Sequence, residues 1–151
     1  MEGELFDEAA DVLRSLLSTS FGDLRMRPRR YGLKVWFGTG EAAKEHYEAQ
    51  VVGPRQVPAA KVLALEIGFH AEHPKPVDNE RALDALVAEE KQWRRTLGSE
   101  PVAGPFLGRA TWRRLSETWI DPDLSDDDLA VEVGTRLYDY ITALEPLRGA
   151  S

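Results

Sequence analysis

One α+β domain, an antiparallel sheet with helices packed on it, is the fold class this sequence predicts, and three observations predict it. Apolar residues recur at helical spacing near both ends of the chain and once in between. An uninterrupted alternation of apolar and polar residues runs through the middle, from Lys61 to His73. The length, 151 residues with 42% hydrophobic and 30% charged, suits one folded domain over 1–151 with its own core.

The elements follow in order. Leu5, Phe6, Ala9, Val12, Leu13, Leu16 and Leu17 line one face of a first helix, with Asp7, Glu8, Asp11 and Arg14 on the other. Ser18-Thr19-Ser20-Phe21-Gly22 ends it. An Arg-rich connection leads into a strand over 32–37, rich in β-branched and aromatic residues and stopped by Gly38-Thr39-Gly40. Residues 41–52 fit either period: Ala43, Tyr47, Gln50 and Val51 suit a helix, whereas Tyr47, Ala49 and Val51 alternate as in a strand. A turn at Glu41–Lys44 and then a strand is the preferred reading. The prolines of Gly53–Pro58 mark a connection.

The Lys61–His73 stretch is a strand with Leu63, Leu65, Ile67, Phe69 and Ala71 on one side and Glu66, His70 and Glu72 on the other. His73-Pro74-Lys75-Pro76 closes it. Asp78 or Asn79 is placed to cap a helix reaching about Gly98, with Leu83, Leu86, Val87, Glu90, Trp93 and Leu97 near one stripe. Pro101, Gly104, Pro105 and Gly108 leave room for a short strand around Phe106-Leu107, and 111–120 reads as a further strand, although Trp112, Leu115 and Trp119 also suit a helix. A last helix carries Leu129, Val133, Leu137, Tyr140, Ile141 and Leu144, opened by a capping box between Ser125 and Asp128 and ended by Pro146 and Gly149.

The resulting order, α-β-β-β-α-β-β-α, is similar to that of the type III secretion chaperone-like fold. That resemblance covers nearly the whole chain, rests on element order, and implies a small, acidic, dimeric protein that binds another protein.

Composition narrows the chemistry. With no cysteine there are no disulfides, thiolate ligands or thiol nucleophile, in keeping with a reducing compartment. The acidic start, Met1-Glu2-Gly3-Glu4, is unlike a secretory signal, and no apolar run reaches the length of a membrane span, so a cytoplasmic protein without membrane association is expected. A net charge of −7 argues against general affinity for nucleic-acid backbones. The local exception is the stretch holding Arg25, Arg27, Arg29, Arg30 and Lys34, where Arg27, Arg29 and Arg30 are the anion-binding candidates.

Glu66, His70 and Glu72 are the candidates for metal binding or acid–base chemistry. On an extended strand Glu66 and His70 stand about 13 Å apart, too far to share an ion unless the strand bends, as Gly68 would allow, whereas His70 and Glu72 are about 7 Å apart. His46 and Glu48 complete a site if the neighbouring strand has the right register. Otherwise this is the solvated face of a half-covered sheet. Asp121, Asp123, Ser125, Asp127 and Glu132 have spacings of a calcium loop, but Asp126 stands where that loop needs glycine, and helix-start chemistry explains them better. No nucleophile elbow or nucleotide-binding glycine pattern is present. Trp36 and Trp93 lie in apolar patterns and belong to the core, while Trp112, Trp119 and Arg113 are the candidates for a partner surface.

The leading expectation is a non-enzymatic, homodimeric protein-interaction or chaperone-like domain with no cofactor and no bound transition ion. The alternatives are a small metal-dependent hydrolase or nuclease centred on Glu66, His70 and Glu72, and an anionic-ligand or nucleic-acid-binding regulator using the Arg25–Arg30 stretch.

Overall fold

The computed structural model describes residues 2–17, 21–38 and 43–148. Within them the chain runs α1 (Glu2–Leu16), β1 (Leu24–Arg29), β2 (Gly32–Phe37), β3 (Glu45–Val52), β4 (Ala64–Ala71), α2 (Pro76–Val87), α3 (Glu90–Leu97), β5 (Val102–Phe106), β6 (Arg109–Ile120) and α4 (Leu129–Arg148). The strands form one sheet in the order β1-β2-β3-β4-β6-β5, with every neighbouring pair antiparallel. The α+β class with a helix-packed antiparallel sheet is therefore present. Two elements depart from the expected order, an extra strand and a divided helix, and both fall outside the order on which the chaperone-like similarity rested.

The extra strand is the Arg-rich stretch. Instead of a connection it is β1, hairpin-paired with β2, and its alternation places Leu24 and Met26 against the core while Arg25, Arg27 and Arg29 share the other face. The divided helix breaks at Ala88 and Glu89. The indole N–H of Trp93 donates to the Leu86 carbonyl at 2.8 Å, so the ring folds back under the end of α2 and is buried. Asp78 and Asn79 are not the cap: α2 starts after Lys75 with Pro76 in its first turn. Asn79 is instead buried, accepting from the His73 N–H at 2.6 Å and donating to the carbonyls of His73 and Thr111, which ties the exit of β4 to β6.

At α4, Asp126 Oδ1 accepts from the Asp128 N–H at 2.9 Å, and Ser125 bonds Asp123 rather than forming the expected box. Pro146 lies inside α4 and does not end it. The 41–52 ambiguity resolves as β3, and 109–120 is a long strand. The stops at Ser18–Ser20 and Thr39–Gly40, the first half of the Glu41–Lys44 turn, and Gly149 lie outside the described residues.

The main core lies between the helices and one sheet face. Leu33, Val35, Tyr47, Ala49, Leu65, Ile67, Phe69 and Leu115 meet Phe6, Leu13, Leu137, Ile141 and Leu144 there, all buried. Each large apolar side chain so removed from water contributes about 1.5–3 kcal/mol. The helices α1 and α4 come close at Gly134, where an added Cβ would stand 2.8 Å from the Ala9 carbonyl oxygen. Leu63, expected to be buried, is half-buried just before β4, and its backbone pairs with Asp121.

The opposite face overturns a second expectation. Glu66 and His70 were expected on a solvated surface; all eight residues of β4 are buried. The 53–63 connection folds back so that Val57 and Ala60 pack on Ala64 beside Val52 and Leu107. Asp121 fastens the end of this strap by accepting from the backbone N–H groups of Lys61, Val62 and Leu63 at 2.8–3.2 Å. Its carboxylate is thus engaged by backbone donors, not presented as part of a calcium loop. Phe106 stands edge-on over His70, with centroids 4.7 Å apart. Trp112 in turn packs on Phe106.

A candidate metal centre between two central strands

The register of β3 against β4 sets His46 opposite His70, Glu48 opposite Gly68, and Gln50 opposite Glu66. These residues share the sheet face turned away from the helices, and Glu72 follows with the same parity, its N–H bonded to the Lys44 carbonyl at 2.7 Å. The register that completes the His46, Glu48, His70 and Glu72 set is therefore the one formed. One ligand-capable atom from each of the four lies within 4.8 Å of all the others.

The four atoms form a ring of alternating nitrogen and oxygen. His46 Nε2 is 2.9 Å from Glu48 Oε1 and 3.4 Å from Glu72 Oε2. His70 Nδ1 is 3.3 Å from the same Glu48 oxygen and 3.4 Å from the same Glu72 oxygen. Neighbouring donors at 2.9–3.4 Å, with the widest separation within 4.8 Å, are close enough to share one ion, although a tetrahedral ion with bonds of about 2.0–2.1 Å would hold all its donors about 3.3 Å apart and the set is wider than that.

The remaining nitrogens are already committed. His46 Nδ1 donates to the Ala43 carbonyl at 2.7 Å, which leaves Nε2 as the nitrogen turned inward, within hydrogen-bond distance of Glu48 Oε1 at 2.9 Å. His70 Nε2 faces both Glu66 oxygens at 2.7 and 2.9 Å; in donating to them it leaves Nδ1 as the inward atom. That Nδ1 is buried and has no hydrogen-bond partner. A carboxylate behind a metal-binding histidine is the arrangement that fixes the ring's tautomer and raises its basicity.

Gly68 makes the Glu66–His70 contact feasible. It leaves no side chain between them on this face, and an added Cβ would stand 2.4 Å from the Leu115 carbonyl oxygen, so β6 occupies the space a larger residue needs. Expected to stand far apart along the strand, Glu66 and His70 instead lean toward each other until their side chains meet at 2.7 Å. Glu66 is held further by Gln50 Nε2 at 2.9 Å. Arg114, opposite His70 on β6, donates to Ser116 Oγ at 2.9 Å and is the cation next to Glu66.

The titration of the carboxyl groups and of His70 is set by these contacts. Burial raises the carboxyl groups, yet the adjoining imidazoles of His46 and His70 hold Glu48 well below the usual range and bring Glu72 down to about 2. Glu66, against its own burial, is lowered by the His70 charge and hydrogen bond. Burial disfavours the charged imidazole of His70, but Glu66, Glu48 and Glu72 raise it well above its ordinary value.

The other sequence candidates are dispersed. Arg27 and Arg29 point from β1 on the same face as the centre, and Arg30 lies in the β1–β2 turn. Trp36 is not in the core: Arg27 and Lys34 stand over its ring at 5.8 and 5.9 Å. Trp112 lies on the outer face with Phe106 and Arg109, whereas Trp119 lies on the helix face against the core, so the two do not make one patch. Arg113 is paired with Glu80 at 3.2 Å. Gln50, Arg114, Ser116 and Phe106 were not singled out in the sequence; the strand parity of Gln50 was the only available signal for them.

No protein-family model, curated protein or solved structure matches this chain. Among the described residues no helix is long and apolar enough to cross a membrane.

Proposed function

We propose that this protein binds one divalent transition-metal ion through His46 Nε2, Glu48, His70 Nδ1 and Glu72. The observation that carries the reading is the buried, unpartnered His70 Nδ1 facing two carboxylate oxygens, with its other nitrogen already held by Glu66. Two imidazoles and two carboxylates suit zinc, iron or manganese rather than calcium. Glu66 supports His70 and is not a ligand, which revises the Glu66, His70 and Glu72 centre. A six-coordinate ion held by four protein donors retains two positions for water or substrate, as metal-assisted hydrolysis requires.

Chelator-stripped protein titrated with zinc, manganese or ferrous ion should take up one equivalent, and a His46→Ala/His70→Ala variant should take up none. A folded wild-type chain with no uptake of any of the three would refute the reading.

The protein-interaction reading has separate support. Trp119, Val131 and Thr135 line an open hollow of about 490 Å³ on the helix side, rimmed by Glu132, Arg136 and Asp139. Sedimentation at micromolar concentration tests whether the 16.9 kDa chain forms the expected homodimer.

A further inference from the structure

In a chain of net charge −7, Arg27, Arg29, Arg30 and Lys34 form no ion pair among the described residues. Arg25 differs, being paired with Asp23 at 2.9 Å. Register accounts for the grouping: Arg27 lies across from Lys34, and Lys34 lies across from Glu48. A row of positive charge thus runs over the sheet and ends at a residue of the metal set.

A hollow of about 340 Å³ occupies this ground, lined by Arg29, Arg30, Tyr31, Lys34, Glu48 and Gln50. Gln50 is the residue that holds Glu66, so the hollow touches both the metal set and its support. Arg30 is stacked over Tyr31 at 5.2 Å, and Lys34 lies over Trp36, so two of these cations are already ordered on aromatic faces. Guanidinium groups in such a position match the paired oxygens of phosphate or carboxylate.

We propose that this hollow binds the oxyanion group of a small molecule, with Arg29, Arg30 and Lys34 as its partners, beside the metal centre at Glu48. The volume is at the lower end for small-molecule sites, which favours a compact anion over a polymer. The proposal names the ligand class of the metal site and rests on that reading for the ion at its edge.

The test is calorimetric titration of zinc-loaded protein with phenyl phosphate and, separately, benzoate. Two further proteins are titrated in parallel: an Arg29→Ala/Lys34→Ala variant and the His46→Ala/His70→Ala variant. Saturable one-to-one binding of either anion, weakened at least tenfold by the Arg29/Lys34 changes with zinc affinity preserved, supports the proposal, and the tighter of the two anions distinguishes phosphate from carboxylate. Binding of neither anion to protein that holds zinc normally overturns the proposal while leaving the metal reading intact. Anion binding that survives in wild type lacking any zinc uptake, and is lost with Arg29 and Lys34, keeps the hollow and refutes the metal centre. Binding of single-stranded oligonucleotide with neither small anion bound also overturns the proposal, in favour of a polymer.

Discussion

Glu66→Gln separates a supporting carboxylate from a ligand. The substitution keeps size and shape, but glutamine has one accepting oxygen where the carboxylate has two. At present Glu66 Oε1 accepts from Gln50 Nε2 at 2.9 Å while both oxygens face His70 Nε2 at 2.9 and 2.7 Å. If the new amide turns its oxygen to His70, its NH₂ opposes that of Gln50 unless Gln50 flips. If it turns its NH₂ to His70, the ring must carry its proton on Nδ1, the atom that faces the ion. Either outcome weakens metal binding without removing a donor.

Loss of such a second-layer group costs about 10–100-fold in affinity, or about 1.4–2.8 kcal/mol. With ion at a hundred times the wild-type Kd, binding stabilises wild type by about 2.7 kcal/mol, and a thirtyfold weaker variant at the same concentration gains about 0.9 kcal/mol. For a chain of this size the difference is about 4–8 °C in the metal-induced rise of Tm. Zinc titration by calorimetry and thermal unfolding with and without chelator both read it. A folded Glu66→Gln protein whose zinc affinity stays within twofold of wild type would show that Glu66 does not position His70, and the argument from the orphaned Nδ1 would fail with it.

Other consequences concern the frame. Gly68→Ala sets a methyl 2.4 Å from the Leu115 carbonyl in the middle of the sheet, so it should cost upwards of about 3 kcal/mol by urea unfolding. Glu117→Ala should cost about 1–3 kcal/mol by urea unfolding, because buried Glu117 accepts from Arg136 at 2.7 Å and from the buried Tyr140 hydroxyl at 2.8 Å, and its loss leaves that hydroxyl without its acceptor while Arg136 keeps the Leu97 carbonyl and Asp139. Backbone N–H bonds from Lys61, Val62 and Leu63 hold the Asp121 carboxyl below its ordinary range. A depressed folded value stabilises above the unfolded one, so the strap should be fully fastened above about pH 4 and loosen as pH falls further; amide exchange of 61–63 measures this, and unchanged protection at pH 2.5 would refute it.

Much of this was legible where one local period dominates. Leu5 to Leu13, Leu65 to Phe69 and Leu129 to Leu144 announce their elements because each buries one continuous face. The errors have physical reasons. Arg25, Arg27 and Arg29 read as a connection because charge masks alternation, and an edge strand needs only Leu24 and Met26 turned inward. The 78–98 helix read as one because its stripe is continuous, while the indole hydrogen bond that accompanies its break is a tertiary contact. Every ligand of the candidate centre was visible by residue type and parity. What sequence could not supply was the cover: Val57, Ala60 and Phe106 come from segments with no strong period, and they turn a polar strand face into an interior.

That burial decides how the charges must be satisfied. Glu48, Glu66 and Glu72 bring three carboxylates to one face of two strands, and Arg114 is the neighbouring guanidinium. Buried or half-buried charge without compensation is costly, so positive charge must be found close by. A second proton on His70 supplies some of it, and this is the sense in which its pKa is raised. Such a proton on Nδ1, however, has no acceptor in hydrogen-bonding geometry, although two carboxylate oxygens lie at 3.3 and 3.4 Å. Those oxygens stand at the spacing of neighbouring donors around one ion. A divalent ion meets the charge and the geometry together, whereas a proton meets only the charge. Lys34, directly across from Glu48, forms no ion pair with it among the described residues, so the charge of Glu48 is left to the two imidazoles beside it and to the proposed ion.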